Sequence, residues 1–483
     1  MRIFLFSIAI LLPTLAGLII VNRVDRENFF RPTESLALSF SVGAGLLSFY
    51  LFLIGILGLS FSGFNIAPFF VLLAVFAKPR RLKNLLISKR GISGSPLKYP
   101  QWQWAVTITL LILIIWKIIF IFIALIASPT YFADAITHWN YMAKVIFFNN
   151  GLNGYPNSKD SLSSGVISYP LGVPIFKAWI ALVMGQWVDL YVNLYSFLIF
   201  VSLIIIIYST IKRYTSTYFV PLLSCYLIVS LPFIPFHVYG GYSDIIVGYY
   251  FTASLLFLGI WFSFENRAAF SLSAILIAIG IFVKREGIAL YLPIITLTLS
   301  FYLMKNKFNW GKKVKYLLEY LAIVLFLTGP WLIFWTIITF SSTFKTISPA
   351  ENKGSLIEFH PEVIGILLKN FFAFGTFNII WVTLFIVYIV GFKKSINGRT
   401  IFFPPALLSF VVALFPYIFS HYFIYLQDIT VINRALLQII PFLIFTAGIF
   451  INDILTFLKS ESRKPAKKQM GSVLKTREDK IVE

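Results

Sequence analysis

Charged side chains are scarce in this chain of 483 residues: Asp, Glu, Lys and Arg make up only 12% of it, whereas 59% of the residues are hydrophobic. This balance excludes an ordinary soluble domain, which needs far more polar surface. Several runs of 18 or more residues carry almost no charge, and each can cross a bilayer as a helix. Because backbone polar groups inside lipid must be paired within the chain, we predict an all-α polytopic membrane protein.

Cysteine is almost absent as well, since Cys225 is the only one and falls in an apolar run. A single thiol excludes an internal disulfide and metal clusters built on thiolates. Residues 1–21 resemble a signal peptide because Arg2 precedes an apolar run, but no convincing small-residue cleavage site comes after them. We therefore predict that it is retained as a helix.

Acidic residues are outnumbered, with 19 Asp and Glu against 40 Lys and Arg. The apolar runs predict about thirteen spanning helices, near 3–21, 36–57, 63–77, 104–127, 189–211, 217–236, 245–263, 269–283, 287–304, 317–340, 374–392, 401–420 and 435–457. With the N-terminus outside, 29 of the 40 Lys and Arg lie in cytoplasmic segments. The positive-inside rule supports this orientation, and anionic lipid explains the basic loops without nucleic acid. A cysteine at Asn153 should then be labelled from outside, and one at Ser395 should not.

The chain divides into three parts on this pattern. Residues 1–102 form extra N-terminal helices and a basic cytoplasmic loop, 103–457 form the main membrane module, and 458–483 form a basic cytoplasmic tail. The first large external loop, 128–188, is too long to be a mere connector. Its apolar stretch from Leu171 to Trp187 is short and carries Lys177, and a crossing there would invert every later loop. We predict an interfacial or re-entrant helix with both ends outside.

The stretch "YFADAITHWNYMAK", residues 131–144, opens this loop. A helical apolar face is predicted from the spacing of Ala135, Ile136, Trp139, Met142, Ala143, Ile146 and Phe147. We predict an amphipathic helix on the outer leaflet, with Asp134 at its start. Asp134 is either an N-cap or a functional acid, and the local sequence favours neither.

Four further external features carry candidate residues. Tyr169 opens "YPLGVPIFKAW", and Asp244 in "HVYGGYSDIIVGYY" is either a helix cap or a site acid. The turn "KREG", Lys284 to Gly287, places basic residues on the predicted external face, where the positive-inside rule expects few. This position suggests that they bind a ligand. Arg434 lies at the outer mouth of the last span, where snorkelling alone would also account for it.

These features together resemble the GT-C superfamily of integral-membrane glycosyltransferases, in particular the aminoarabinose-transferase-like and protein O-mannosyltransferase-like enzymes. The resemblance rests on "DAITHWNYMAK", "YPLGVPIFKAW", "GYSD" and "NRALLQIIP", and covers roughly residues 104–457. It implies a sugar donor on polyprenyl phosphate, with Asp134 as catalytic base and Asp244 as the acid of the second loop. Relatives commonly carry two adjacent acids at this position, whereas here Ala135 follows Asp134. The resemblance therefore leaves open whether the reaction requires a divalent cation.

The chemistry of such a transfer fits the predicted external residues. A phosphate leaving group needs positive charge where charge develops, and Lys284, Arg285 and Arg434 are predicted to flank one anionic pocket. An acceptor hydroxyl needs a carboxylate within hydrogen-bond reach, and a single displacement would invert the anomeric centre. The other predicted substrate-binding residues are His138, Lys144, Tyr169 and Glu286.

The sequence therefore predicts a lipid-phosphate-sugar-dependent glycosyltransferase in the cell membrane, with an external active site and a cytoplasmic C-terminus. Its partners would be the polyprenyl-phosphate sugar, membrane lipids, and a lipid, glycan or protein acceptor. Two alternatives are left open: a transporter or flippase for a lipid-linked glycan, and a glycan ligase that uses a lipid diphosphate donor. A transporter would be expected to place charges near mid-membrane, whereas here Lys117 is the main mid-span charge.

Overall fold

The computed structural model describes residues 1–77, 101–128, 130, 132–153, 169–340, 358–373, 375–394, 399–426 and 430–462. These residues form helices and, within the described ranges, no strands. Most of the basic loop 78–102, the middle of the external loop, Ser395 and most of the basic tail lie outside the described residues. The prediction of an all-helical membrane protein is confirmed.

Seventeen α-helices organise the described part of the chain. They are α1 (Arg2–Val24), α2 (Pro32–Ile56), α3 (Gly63–Phe76), α4 (Gln101–Ala127), α5 (Asn140–Phe148), α6 (Gly172–Met184), α7 (Asp189–Tyr214), α8 (Phe219–Val229), α9 (Phe233–Tyr239), α10 (Asp244–Phe264), α11 (Arg267–Val283), α12 (Leu292–Lys305), α13 (Trp310–Phe340), α14 (Glu362–Phe372), α15 (Ile380–Lys394), α16 (Phe403–Phe419) and α17 (Thr430–Ser462). Single π-helical turns, Ala135–Trp139 and Gly287–Tyr291, lead into α5 and α12.

Eight helical segments of the described residues are long and apolar enough to cross a membrane, so the chain is a multi-pass membrane protein. They are Arg2–Val24, Pro32–Ile56, Gln101–Ala127, Asp189–Tyr214, Asp244–Phe264, Gly287–Lys305, Trp310–Ile337 and Val431–Leu458. Helices α8 and α9 meet at 71° and count as a ninth if they form one broken span.

The expected thirteen spans are not confirmed. Four of the predicted segments form α3, α11, α15 and α16, which contain only 14, 17, 15 and 17 residues. At 1.5 Å per residue, even 17 residues cover only about 26 Å, less than the roughly 30 Å of a bilayer core. Hydropathy located these helices, and three of them end within two residues of the predicted bounds, but their length falls short of a full span.

Helix α10 is the centre of the bundle, because all of its residues from Asp244 to Trp261 are buried. It packs against α7, α11 and α17, whereas α1, α4 and α13 leave most of their apolar surface exposed. Helices α1 and α2 approach very closely at Gly17 and Gly43. A Cβ at Gly17 would lie 1.9 Å from the Ser39 carbonyl oxygen, so a larger residue there would force the two helices apart.

Charged contacts at the two termini of α7 identify opposite ends of the bundle. At its C-terminus Arg213 pairs with Glu34 and donates to the Phe29 carbonyl oxygen at 3.2 Å. At its N-terminus Asp189 Oδ1 lies 3.9 Å from Lys144 Nζ. The segments that the charge pattern assigns to the cytoplasmic and external faces are therefore at opposite ends.

Helix α6, which the sequence predicts to be interfacial or re-entrant, is enclosed by neighbouring helices. Eleven of its thirteen residues are buried, among them Lys177 in the middle. Tyr169, before the helix, contacts Trp139, and Trp187, after it, contacts Phe147, so both ends reach the same π-helix and α5 segment. Helix α6 therefore packs alongside this segment, and its position relative to the bilayer stays a prediction.

Candidate functional site

Asp244 begins α10 and has a side chain with no exposed surface. Its carboxylate accepts from Lys284 Nζ at 2.8 Å, Gln438 Nε2 at 2.7 Å and Arg434 Nε at 3.1 Å. His237 Nδ1 lies 3.4 Å from its Oδ2. Ser243 holds the N-cap position, and the Asp244 carboxylate bonds side chains of other segments, so the interpretation of Asp244 as a cap is wrong.

Two cations and an amide hold this carboxylate as an anion. A charge buried without partners is very costly, but charge-assisted hydrogen bonds offset that cost when the geometry is good. The amide of Gln438 is oriented by the Tyr291 hydroxyl, which donates to its Oε1 and leaves Nε2 directed at Asp244. Every close partner of Asp244 is thus itself fixed by packing or by a further bond.

Arg434 joins Asp244 to Asp134. Its Nη2 lies 2.6 Å from Asp134 Oδ2, while its Nε bonds Asp244 and its Cζ lies 5.1 Å from the centre of the Tyr242 ring. Asp134 has helical backbone angles and makes no capping bond, so its interpretation as only an N-cap is also wrong. The two acids differ in access: the Asp134 side chain is 30% exposed, whereas that of Asp244 is enclosed.

Lys284 lies between two carboxylates at the turn before the second π-helical segment. Its Nζ is 2.8 Å from Asp244 Oδ1 and 2.6 Å from Glu286 Oε1. Burial by itself would lower the pKa of Lys284, but Asp244 and Glu286 outweigh it and hold the pKa above its ordinary value. Lys284 is therefore a permanent cation whose charge is already matched.

A second group surrounds Tyr169. Its ring lies 5.5 Å from the ring of His138 and 5.4 Å from that of Trp139, and Arg285 Cζ lies 4.9 Å from its centre. Burial lowers the pKa of His138 more than Asp134 raises it, so this imidazole is mostly neutral near pH 7. We call Tyr169, His138, Trp139 and Arg285 the aromatic group. We call Asp134, Asp244, Lys284, Glu286 and Arg434 the charged cluster.

Eight of the nine predicted site residues thus belong to two groups at one end of the bundle. Lys144 does not join them, because it faces Asp189 at 3.9 Å and the Trp187 ring at 5.3 Å. The predicted cations also differ in direction: Lys284 and Arg434 converge on Asp244, whereas Arg285 packs over Tyr169.

Sequence reasoning did not single out His237, Tyr291 or Gln438 as site residues. One signal was present: Gln438 follows Arg434 by four positions, which places both on one face of α17. No comparable pattern marks Tyr291, because its role depends on how the π-helical segment Gly287–Tyr291 meets α17, where its hydroxyl donates to Gln438. His237 opens the quoted stretch "HVYGGYSDIIVGYY", but nothing in its local sequence marks it as a partner of Asp244.

A metal site can be tested on the donor set of the described ranges. No group of three or more His, Cys, Asp or Glu side chains in them could hold a metal ion. The carboxylates of Asp134, Asp244 and Glu286 are instead matched by Lys284 and Arg434. These residues therefore do not fit a carboxylate-held cation in the arrangement seen here.

Compared with known proteins, this chain matches no described protein family, no curated protein and no solved structure.

Proposed function

We propose that this protein is a GT-C-type glycosyltransferase that moves a sugar from polyprenyl phosphate to an acceptor hydroxyl. One observation carries the proposal: the partly exposed Asp134 is tied through Arg434 to the enclosed Asp244 at the end of the bundle. The two acids come from separate segments that the charge pattern predicts to be external. The proposal has the lipid phosphate enter at this end from the headgroup layer. The proposal puts this end outside and the C-terminus in the cytoplasm.

The structure supports different roles for the two acids. Asp134 has access to a substrate, so it is the group that would accept the proton of the acceptor hydroxyl. The hydroxyl oxygen would bond to the anomeric carbon while the bond from that carbon to the phosphate oxygen breaks. The electron pair leaves with the lipid phosphate, and the configuration is inverted. Asp244 is fully engaged by its partners and would anchor Arg434 and Lys284 rather than act as a base.

Arg434 is the cation best placed to bind the donor phosphate. Its side chain is 23% exposed and has further N–H groups beyond the two that bond Asp134 and Asp244. Lys284 is only 6% exposed, so its positive charge would attract the phosphate at a distance rather than by direct contact. Arg285, over the Tyr169 ring, is the second candidate for direct contact.

Replacing Arg434 with Ala is expected to weaken donor binding by roughly 10–100-fold, the value of a charged hydrogen bond. Lys should restore only part of this, because a point charge cannot bond both acids and the phosphate as a guanidinium does. Binding of a synthetic polyprenyl-phosphate sugar to the purified protein measures the effect. Arg267→Ala is the matched control, since Arg267 pairs with Glu319 and is 52% exposed. Unchanged donor affinity in Arg434→Ala would remove Arg434 from the site.

Sidedness is tested by cysteine labelling in intact cells with Cys225 replaced by Ala. We expect a membrane-impermeant thiol reagent to label a cysteine at Asn153, which lies near Gly58 at the end of α2 opposite Glu34. A cysteine at Lys307, just after α12, should be labelled only once the membrane is permeabilised. The reverse pattern would place the charged cluster in the cytoplasm and overturn the proposed location.

One observation favours the transporter alternative: α8 and α9 form a single broken pair bent by 71°. Transporters commonly carry such breaks in corresponding positions of two halves, with charges near mid-membrane. The charged cluster instead lies at helix ends, as the positions of Asp134 and Asp244 show. A reconstituted protein that moves a lipid-linked glycan between leaflets without breaking the sugar–phosphate bond would favour transport.

The decisive experiment uses purified protein with radiolabelled polyprenyl-phosphate hexoses and pentoses, and with extracted envelope lipids and glycans as acceptors. We expect one monophosphate donor to be consumed, with release of the lipid phosphate and a labelled acceptor of inverted configuration. Consumption of a lipid diphosphate donor alone would favour the ligase. No transfer from any donor would refute the proposed function.

A further inference from the structure

Lys177 lies at the middle of α6 and has no exposed surface. Its ammonium group donates to Asn140 Oδ1 at 2.7 Å, to the Gly241 carbonyl oxygen at 2.9 Å and to Asn193 Oδ1 at 3.1 Å. These three oxygens come from three separate parts of the chain. The proposed reaction makes no use of Lys177.

Burying a lysine in this way is unusual, because all three acceptors are neutral. An ammonium group has three donors and no acceptor, so three oxygens satisfy it completely. The desolvation cost of the charge nevertheless remains, and an apolar side chain of similar volume would avoid it. A purely packing role therefore does not explain why a lysine occupies this position.

The three acceptors connect Lys177 to the segments that carry Asp134 and Asp244, two of the three acids of the charged cluster. Asn140 begins α5, directly after the π-helical segment that Asp134 precedes. Gly241 lies three residues before Asp244, in the turn that also carries Tyr242. We infer that Lys177 is a positioning residue, which fixes the distance between the segments bearing Asp134 and Asp244; its effect on catalysis rests on the proposed function.

A second connection reinforces this junction. Asn193 accepts from Lys177 and donates through Nδ2 to Thr130 Oγ1 at 3.0 Å, four residues before Asp134. The junction has no spare space: Gly241 has φ +75°, and a Cβ there would lie 2.7 Å from Asn193 Oδ1 and 3.3 Å from Lys177 Nζ. The turn before Asp244 is thus pressed directly onto these bonds.

The test combines the transfer assay with a distance measurement that needs no activity. Spin labels are placed at Ile136 and Phe236, which are 49% and 45% exposed. Ile136 lies one turn after Phe132, whose ring is 6.3 Å from that of Phe236, so dipolar broadening between the labels reports the spacing of the two segments. Cys225 is replaced by Ala so that only these labels attach.

Lys177→Met is expected to change the dipolar spectrum and to lower the transfer rate by roughly 10²-fold with a nearly unchanged KM, the effect of a small misplacement. The matched control is Lys212→Met, since Lys212 also donates to carbonyl oxygens, those of Ser216 and Thr217, but at the other end of the bundle. It should alter neither readout. A wild-type spectrum in Lys177→Met, or a changed spectrum with the full transfer rate, would overturn the inference.

If Lys177→Met does not fold, Asn140→Leu decides, because it removes one acceptor and leaves the lysine in place. We expect a smaller change in the spectrum and in the rate, in the same direction. An Asn140→Leu protein with the wild-type spectrum would then overturn the inference. If the wild-type protein transfers no sugar from any donor, the proposed function fails, and the spectrum alone decides whether Lys177 positions the cluster.

Discussion

Replacing Asp134 with Asn is expected to lower sugar transfer by roughly 10²–10⁴-fold, the usual contribution of a positioned acid or base. The amide cannot accept the proton of the acceptor hydroxyl, whereas its oxygen can still accept from Arg434. Because Asp134 makes no capping bond and is 30% exposed, the substitution should change the thermal stability little. The measurements are the transfer rate at saturating donor and the Tm of the purified variant.

The matched control for this substitution is Asp189→Asn. Asp189 is an exposed carboxylate at the same end of the bundle, paired with Lys144 at 3.9 Å. Its variant should transfer sugar at the wild-type rate. If Asp134→Asn folds and also keeps that rate, Asp134 is not the base. The next candidate is then Glu286, whose side chain is 31% exposed, because Asp244 is enclosed by its partners.

Replacing Asp244 with Asn is expected to destabilise the protein by about 3–5 kcal/mol, the usual loss when a buried ion pair is broken from one side. Lys284 would still pair with Glu286, and Arg434 would still pair with Asp134, but both of these carboxylates are partly exposed. The Asn amide would carry no negative charge and would keep one acceptor oxygen for the three donors Lys284, Arg434 and Gln438, with an NH2 group in place of the other oxygen. The free energy of unfolding in mixed micelles measures the loss.

A double-mutant cycle separates this ion pair from general disruption. Adding Lys284→Met to Asp244→Asn should recover part of the lost stability, because it also removes the cation left without its buried partner. Asp134→Asn is the control, since it removes a carboxylate from the same Arg434 at a partly exposed position. A loss below about 1 kcal/mol in Asp244→Asn, the scale of a surface ion pair, would show that the cluster does not hold these helices together.

The two substitutions test a division of labour within one cluster. Asp134 would accept the proton of the acceptor and contribute little to stability. Asp244 would stabilise the fold and hold Arg434 in place. If both variants instead lost activity and stability together, the two acids would act as one unit and the separate roles would be wrong. Their difference in exposure is the reason to expect the separation.

The sequence by itself determined the class of this protein. Long apolar runs reveal membrane helices because lipid forces each run to satisfy its backbone internally, a requirement that each segment meets without its neighbours. The placement of Lys and Arg, which follows the positive-inside rule, separated the two ends of the bundle. The contacts of Arg213 and Asp189 at opposite termini of α7 agree with this separation. It also identified Asp134, Asp244, Lys284 and Arg434 as charges too costly to lie near lipid without a reason.

Only the tertiary structure decided how those charges are used. The local sequence explained Asp134 and Asp244 equally well as helix caps. Neither side chain makes a capping bond; Arg434, from a helix distant in sequence, pairs with both carboxylates instead. Lys177 likewise contributed to the prediction of an interfacial or re-entrant helix, because its three acceptors come from distant parts of the chain and cannot be recognised in the sequence. An apolar run shows which segments leave water, but the partner of a buried charge depends on which helices pack together, and that is set by side-chain fit across the whole bundle.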